Sequence, residues 1–368
     1  MSSDVKRPDW AKESAGAKGV FMAEGVDVVA APKVTPHRRP ELSEEDYVAG
    51  VLAGDRGVLS RAITLIESNA PRHFDLGQRI ITRLLPHTGK AMRVGITGVP
   101  GAGKSSLIEA LGCRLVAGGK KVAVLAVDPS SSISKGSILG DKTRMERLSR
   151  EEGAFIRPSP SGGTLGGVSR KSRETMLLCE AAGYEVVLVE TVGVGQSETT
   201  VRGMVDLFLM VALTGAGDDL QGMKKGIMEI ADAIWVNKAD GDNRQKALTA
   251  RADFEQMLHY LRPSTPGWQS PALAVSAYTG EGLDEAWAMV ERFFATVKEN
   301  GVFQSRRREQ TLTWIDTMVD EYLQDLLHRD SEFLALRESS TRDVLGGRLS
   351  PTIAASHMID ALKKRLEA

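Results

Sequence analysis

A glycine-rich run, Gly98-Val99-Pro100-Gly101-Ala102-Gly103-Lys104-Ser105, stands between the apolar stretch Met92–Thr97 and a helical pattern over Lys104–Ala117. No other feature of the chain constrains its fold as much. Glycines at 98, 101 and 103 let backbone N–H groups turn inward around an anion, where side chains would intrude. The start of the following helix adds its own positive end. The run fits G-x-x-x-x-G-K-[ST], and in a strand–loop–helix context that pattern cradles the phosphates of a nucleoside triphosphate. Lys104 is then expected to bridge the β- and γ-phosphates, and the Ser105 hydroxyl, with Ser106 beside it, to face magnesium.

Strand-like runs follow at intervals with helical text between them: Met92–Thr97, Val122–Val127, Glu185–Glu190, Leu207–Ala212, Ala233–Val236 and Ala272–Val275. Short, β-branched or apolar segments of this kind predict a mostly parallel sheet covered on both faces. The fold class expected is α/β, doubly wound, of the P-loop type, spanning 91–300. Residues 1–40 lack periodicity and read as a disordered tail. From Ser43, a candidate N-cap with Asp46 at the third helical position, three short helices are expected over 41–90. Beyond about residue 300 the strands stop. Leu312, Ile315, Val319, Tyr322 and Leu326 recur at helical spacing, and Ser350-Pro351 opens a last helix. This segment, 301–368, either packs on its own domain or forms a dimer seam, since a wide apolar face must be buried somewhere.

The base is read further on. Asn237-Lys238-Ala239-Asp240 follows the strand Ala233–Val236 and fits N-K-x-D. The Asp240 carboxylate can accept from guanine N1–H and N2–H. Adenine has no such donor pair and would leave the charge unpaired. Asn237 is expected on the O6 side, the Lys238 stem over the ring, and a backbone N–H of Ser276-Ala277 on O6. GTP and GDP with Mg2+ are the ligands these runs imply. Three acids lie at the ends of strands or close by: Asp128, Asp141 and Glu190. Each alone suits a cap or salt bridge, but together beside a phosphate loop they predict a metal site. Gly193 is placed to read the γ-phosphate through its amide.

Composition narrows the partners. With 47 basic and 48 acidic residues the net charge is −1, so neither nucleic acid nor an anionic membrane surface is favoured. Cys113 and Cys179 are the two cysteines, without metal spacing. No apolar stretch approaches the ~20 residues of a membrane span, and the acidic start of the chain suits neither a signal nor a transit peptide. A cytoplasmic location is expected.

Together these runs resemble the MeaB/ArgK-type family of P-loop GTPases, which includes the methylmalonic aciduria type A protein. The matching text is Gly98–Ser106, Val127–Ser131, Ser137–Met145, Glu190–Glu198 and Gly215–Glu229, and the resemblance extends from about residue 43 to the end. It implies a G-protein chaperone that gates adenosylcobalamin loading and the protection or reactivation of methylmalonyl-CoA mutase. It also implies homodimers through the C-terminal helices. The metal-side acids would be Asp128, Asp141 and Glu190. Switch loops would lie around Ser134–Met145, Gly193–Glu198 and Gly215–Lys225, with Arg144, Gln196, Asp218 and Lys224 as contacts to nucleotide or partner. The chain has no D-x-H-x-x-G run of the sort that holds cobalamin, so the mutase would be a separate chain.

Phosphoryl transfer of this kind rests on positioning and electrostatics. Val194, and not glutamine, follows Gly193. Slow intrinsic hydrolysis is therefore expected, stimulated when a partner orders a switch loop. The rival readings are a nickel-insertion metallochaperone GTPase, a transport-accessory kinase and a purely structural interaction module. The six histidines (37, 73, 87, 259, 328, 357) are scattered, nothing suggests an amino-acid pocket, and a structural module would leave a complete phosphate and guanine site without purpose.

Overall fold

A computed structural model describes residues 41–68, 70–127, 145–158, 165–191, 197–214 and 225–366. Among them, seven strands form one sheet: β1 (Met92–Gly98), β2 (Val122–Val127), β3 (Ala154–Arg157), β4 (Val186–Thr191), β5 (Leu207–Ala212), β6 (Ala233–Val236) and β7 (Ala272–Ala274). The order is β3-β2-β4-β1-β5-β6-β7, and every pairing is parallel. Six strands lie where the apolar runs place them, to within a residue. The seventh, β3, has no counterpart in the sequence reading. Four residues long, with Phe155 and Ile156 as its only large apolar positions, it follows Glu151-Glu152-Gly153 and ends in Arg157. An edge strand buries little, so its sequence carries little signal.

Side-chain alternation along the strands builds two main cores. Val94, Ile96, Val122, Val124, Val186, Leu188, Leu207 and Leu209 join one, with Leu107, Ile108 and Leu111 of α4 (Lys104–Ala117) and Phe293 and Phe294 of α10 (Leu283–Glu299). Ala123, Leu125, Val127, Val187, Val189 and Phe208 join the other. That second core is covered by α6 (Leu165–Ala181) and by the three N-terminal helices α1 (Glu44–Leu52), α2 (Arg56–Glu67) and α3 (Pro71–Leu84). The sequence separates these helices from the nucleotide domain. Structurally they supply Val51, Leu59, Ile63 and Ile80, all fully buried, to a core that the sheet shares. At ~1.5–3 kcal/mol for each large apolar side chain buried, this is a main contribution to stability. The expected cap holds: the Ser43 hydroxyl accepts from Asp46 N, and the Asp46 carboxylate accepts from Ser43 N at 2.9 Å.

Between these elements lie α5 (Glu146–Arg150), α7 (Ser197–Arg202), α8 (Lys225–Ile230) and α9 (Arg244–Tyr260). Phe254 and Leu258 of α9 close a third cluster over Met210, Ile234 and Val236 of β5 and β6. Past the sheet run α11 (Val302–Arg329), α12 (Ser331–Leu345) and α13 (Pro351–Leu366). The root of α11 belongs to the sheet domain. Phe303 is buried in its core, and Arg307 Nε and Nη2 donate to Asp206 Oδ1 and Oδ2 at 2.8 and 2.7 Å. The rest of α11 exposes Leu312, Ile315, Val319, Tyr322, Leu323 and Leu326, each by about half. Of the two readings left open for this stripe, packing on its own chain is not what the structure has. Among the described residues no helix is long and apolar enough to cross a membrane.

Candidate nucleotide site

The sheet order turns at β1, because the chain moves from it to β2 and β3 on one side and to β5, β6 and β7 on the other. Ligands of doubly wound sheets bind at the carboxyl ends of strands at such a point. The loop that leaves β1 there has three glycines at positive φ: Gly98 at 150°, Gly101 at 81° and Gly103 at 81°. Gly98 also has no room for a side chain, since a Cβ would lie 2.2 Å from the Val211 carbonyl of β5. Gly103 caps α4, whose amide end faces out of the loop. Lys104 is buried, and its Nζ donates to the Gly98 carbonyl at 2.9 Å. Together they concentrate positive potential where phosphate oxygens would sit.

Asn237 departs from its expected role. It was placed on the O6 side of the base, but both ends of its amide are used within the protein. Nδ2 donates to the Ala102 carbonyl at 2.8 Å, and Oδ1 accepts from Ala277 N at 3.2 Å. At 1% exposure the side chain braces the phosphate loop against the Ser276–Ala277 turn. The physical reason is proximity: a Cβ on Gly103 would come within 2.7 Å of Asn237 Nδ2, so the amide has no space to swing toward a ligand. Lys238 takes a positive φ of 62°, and Asn243 Nδ2 holds its carbonyl at 2.7 Å. Its Cε lies 3.9 Å from where a Gly103 Cβ would stand, so the stem runs over the loop as expected. The Ser276 hydroxyl donates to Asp240 Oδ2, which orients that carboxylate.

On the other side of the loop, the Ser105 hydroxyl donates to Glu190 Oε1 at 2.8 Å. Two hard oxygen donors meet at the mouth of an anion site, and this donor chemistry fits magnesium, which prefers carboxylate, hydroxyl and water oxygens. Glu190 lies near the end of β4, where the adjoining Thr191 hydroxyl donates to Thr97 Oγ1 at 3.0 Å in full burial. That hydroxyl pair and Asn243 were not singled out in the sequence. Neither lies in a recognisable motif, and only strand register brings Thr97 and Thr191 together. Asp128, Asp141, Arg144, Gly193, Gln196, Asp218 and Lys224 lie outside the described residues. Val99, Pro100, Ala102 and Ser106 fall within or directly after the loop as expected.

A parallel sheet with this loop at its switch point and a guanine-type loop braced to it defines a P-loop GTPase. The chain belongs, more particularly, to the family described as "Methylmalonyl Co-A mutase-associated GTPase MeaB", whose model matches residues 59–332. It is 50% identical to a putative GTPase of Caulobacter vibrioides, over 88% of this chain and 98% of that one. It is 48% identical to GTPase ArgK of Escherichia coli, over 81% and 90% of the two chains. Identity is 41% with the mitochondrial methylmalonic aciduria type A homolog of Mus musculus, over 86% and 79%. A crystal structure titled LAO/AO transport system kinase superposes with a TM-score of 0.74 at 38% identity, covering 88% of this chain and 99% of the other.

Proposed function

We propose that the chain is a guanine-nucleotide switch serving methylmalonyl-CoA mutase. It binds GTP with magnesium and hydrolyses it slowly alone and faster with the mutase engaged. The cycle gates adenosylcobalamin loading and the protection or reactivation of the mutase. The observation that carries this reading is the Asn237 brace, which joins a phosphate loop to a guanine-type loop in a chain of this family.

Each role follows from the chemistry available. The loop amides of Gly98–Ser105 and the Lys104 ammonium hold phosphate oxygens, and Asp240 with the Ser276–Ala277 turn reads the edge of guanine. Ser105, Asp128, Asp141 and Glu190 would hold magnesium, which when bound offsets charge on the phosphate oxygens. Gly193 reads the γ-phosphate, and Arg144, Gln196, Asp218 and Lys224 act in the switch loops. The half-exposed stripe of α11 supports assembly into a homodimer, because that much contiguous apolar surface is costly in water. The near-neutral charge favours neither nucleic acid nor membrane as partner, and two free thiols suit a cytoplasmic location.

GTP turnover measured with and without a saturating amount of mutase tests the gating. Stimulation on the order of 10³-fold is expected if an ordered partner charge completes the site. Equal turnover in both arms would sink the proposal. The nickel-insertion reading finds no support among the described residues, where no group of three His, Cys, Asp or Glu gathers to hold a metal. Nothing observed favours the kinase reading.

A further inference from the structure

A purine presents two flat faces as well as an edge, and the residues considered so far cover the edge and one face. Asp240 and the Ser276–Ala277 turn address the edge. The Lys238 stem, lying over the phosphate loop, covers one face. The residue that follows this turn is Tyr278, whose side chain is 92% exposed. It is the most exposed large hydrophobic side chain among the described residues, and nothing described holds its ring. Tyr260, which is also very exposed, at least packs edge-on against His259 at 5.8 Å between centroids.

The backbone carrying Tyr278 is held firmly. Ser276 N donates to the Glu281 carbonyl at 2.9 Å, Gly280 N to the Ser276 carbonyl at 2.9 Å, and Thr279 N to Ser276 Oγ at 3.0 Å. The same Ser276 hydroxyl donates to Asp240, and Ala277 N donates to the Asn237 brace. A rigid turn tied to both base-reading residues therefore presents an aromatic ring to water. Such a ring recovers its hydration cost by lying against a flat π-surface, and any base supplies one.

We propose that Tyr278 stacks on the guanine ring of the bound nucleotide, opposite the Lys238 stem, as a further binding residue. This rests on the guanine-nucleotide reading above. Stacking addresses the face of the base and is indifferent to its edge substituents. Its signature is thus an equal contribution to guanine and to hypoxanthine, which lacks the 2-amino group that Asp240 reads.

Calorimetric titration of the full chain with GDP and with inosine diphosphate, in magnesium, tests this. Tyr278→Ala is expected to weaken both ligands by about tenfold, within the range for stacking one base on an aromatic side chain. Tyr278→Phe should stay within about twofold of wild type, because the ring and not the hydroxyl is at work. Tyr278→Ala binding GDP within twofold of wild type overturns the proposal. So does a loss confined to GDP, which would mean that the substitution only disturbs Asp240. Should the wild-type chain show no preference for GDP over ADP, the guanine reading itself fails, and the stacking proposal with it.

Discussion

Replacing Asn237 by alanine should damage both stability and nucleotide binding, and the structure sets the scale. The substitution removes the donor to the Ala102 carbonyl and the acceptor for Ala277 N, at 2.8 and 3.2 Å. Ala102 is fully buried, so its carbonyl has no water to turn to and the loss there is about 2 kcal/mol. Ala277 is half-buried and can recover part of its bond from solvent, leaving about 0.5 kcal/mol. The space vacated by the amide adds roughly 0.5 kcal/mol. The sum is about 3 kcal/mol, or roughly 150-fold in an equilibrium constant. Urea unfolding of the nucleotide-free protein reads the stability term. If the loops loosen locally while the rest stays folded, the same free energy appears as weaker GDP binding in calorimetry. Asn237→Asp separates the causes, since it keeps the volume and the acceptor but sets a carboxylate against the Ala102 carbonyl. It should be at least as damaging as alanine. A Asn237→Ala protein within 0.5 kcal/mol of wild type that also binds GDP within twofold would refute the bracing argument.

Other perturbations follow from the same geometry. Asp206→Ala leaves Arg307, and the Arg93 amide that donates to Asp206 at 3.0 Å, without their acceptor. Because the pair is largely buried, urea unfolding should show a loss of about 3–5 kcal/mol. Gly98→Ala forces a side chain into positive φ and against the Val211 carbonyl, so unfolding should register about 1–3 kcal/mol and GDP titration a clear loss of affinity. Burial raises the Glu174 carboxyl above its usual 4.5, against the opposing pull of Arg170, the Gln78 amide and Lys171. An acid raised in the folded state has its full stability below the unfolded value and loses it as pH rises through the folded one. Glu174→Gln should therefore raise the melting temperature at neutral to alkaline pH, with the gain vanishing as pH falls below about 4.5.

How much of this was readable in the chain depends on whether a feature is local. The strands β2, β5 and β6 and the helix α4 could be bounded to the residue, because β-branched or apolar runs and a glycine loop announce themselves within a few positions. The Ser43 cap was legible for the same reason, its partner being three residues away. The edge strand β3 was not, since its pairing with β2 is a property of the sheet and its own four residues bury little. The N-terminal helices were visible as helices, but nothing in their pattern said that they cover one face of the sheet.

The site divides the same way. Residue types and spacing alone determined that phosphates meet Gly98–Ser105 and that a guanine-type edge meets Asp240. A glycine, a lysine and a carboxylate have those capacities wherever they are set. Only the tertiary structure decided that Asn237 spends its amide on Ala102 and Ala277, 135 and 40 residues away in sequence. It also decided that Glu190 reaches Ser105 and that Arg306 and Arg307 of α11 anchor at Asp206. A side chain's chemistry is written in its own residue, but which of its hydrogen bonds is already taken depends on what the fold brings beside it.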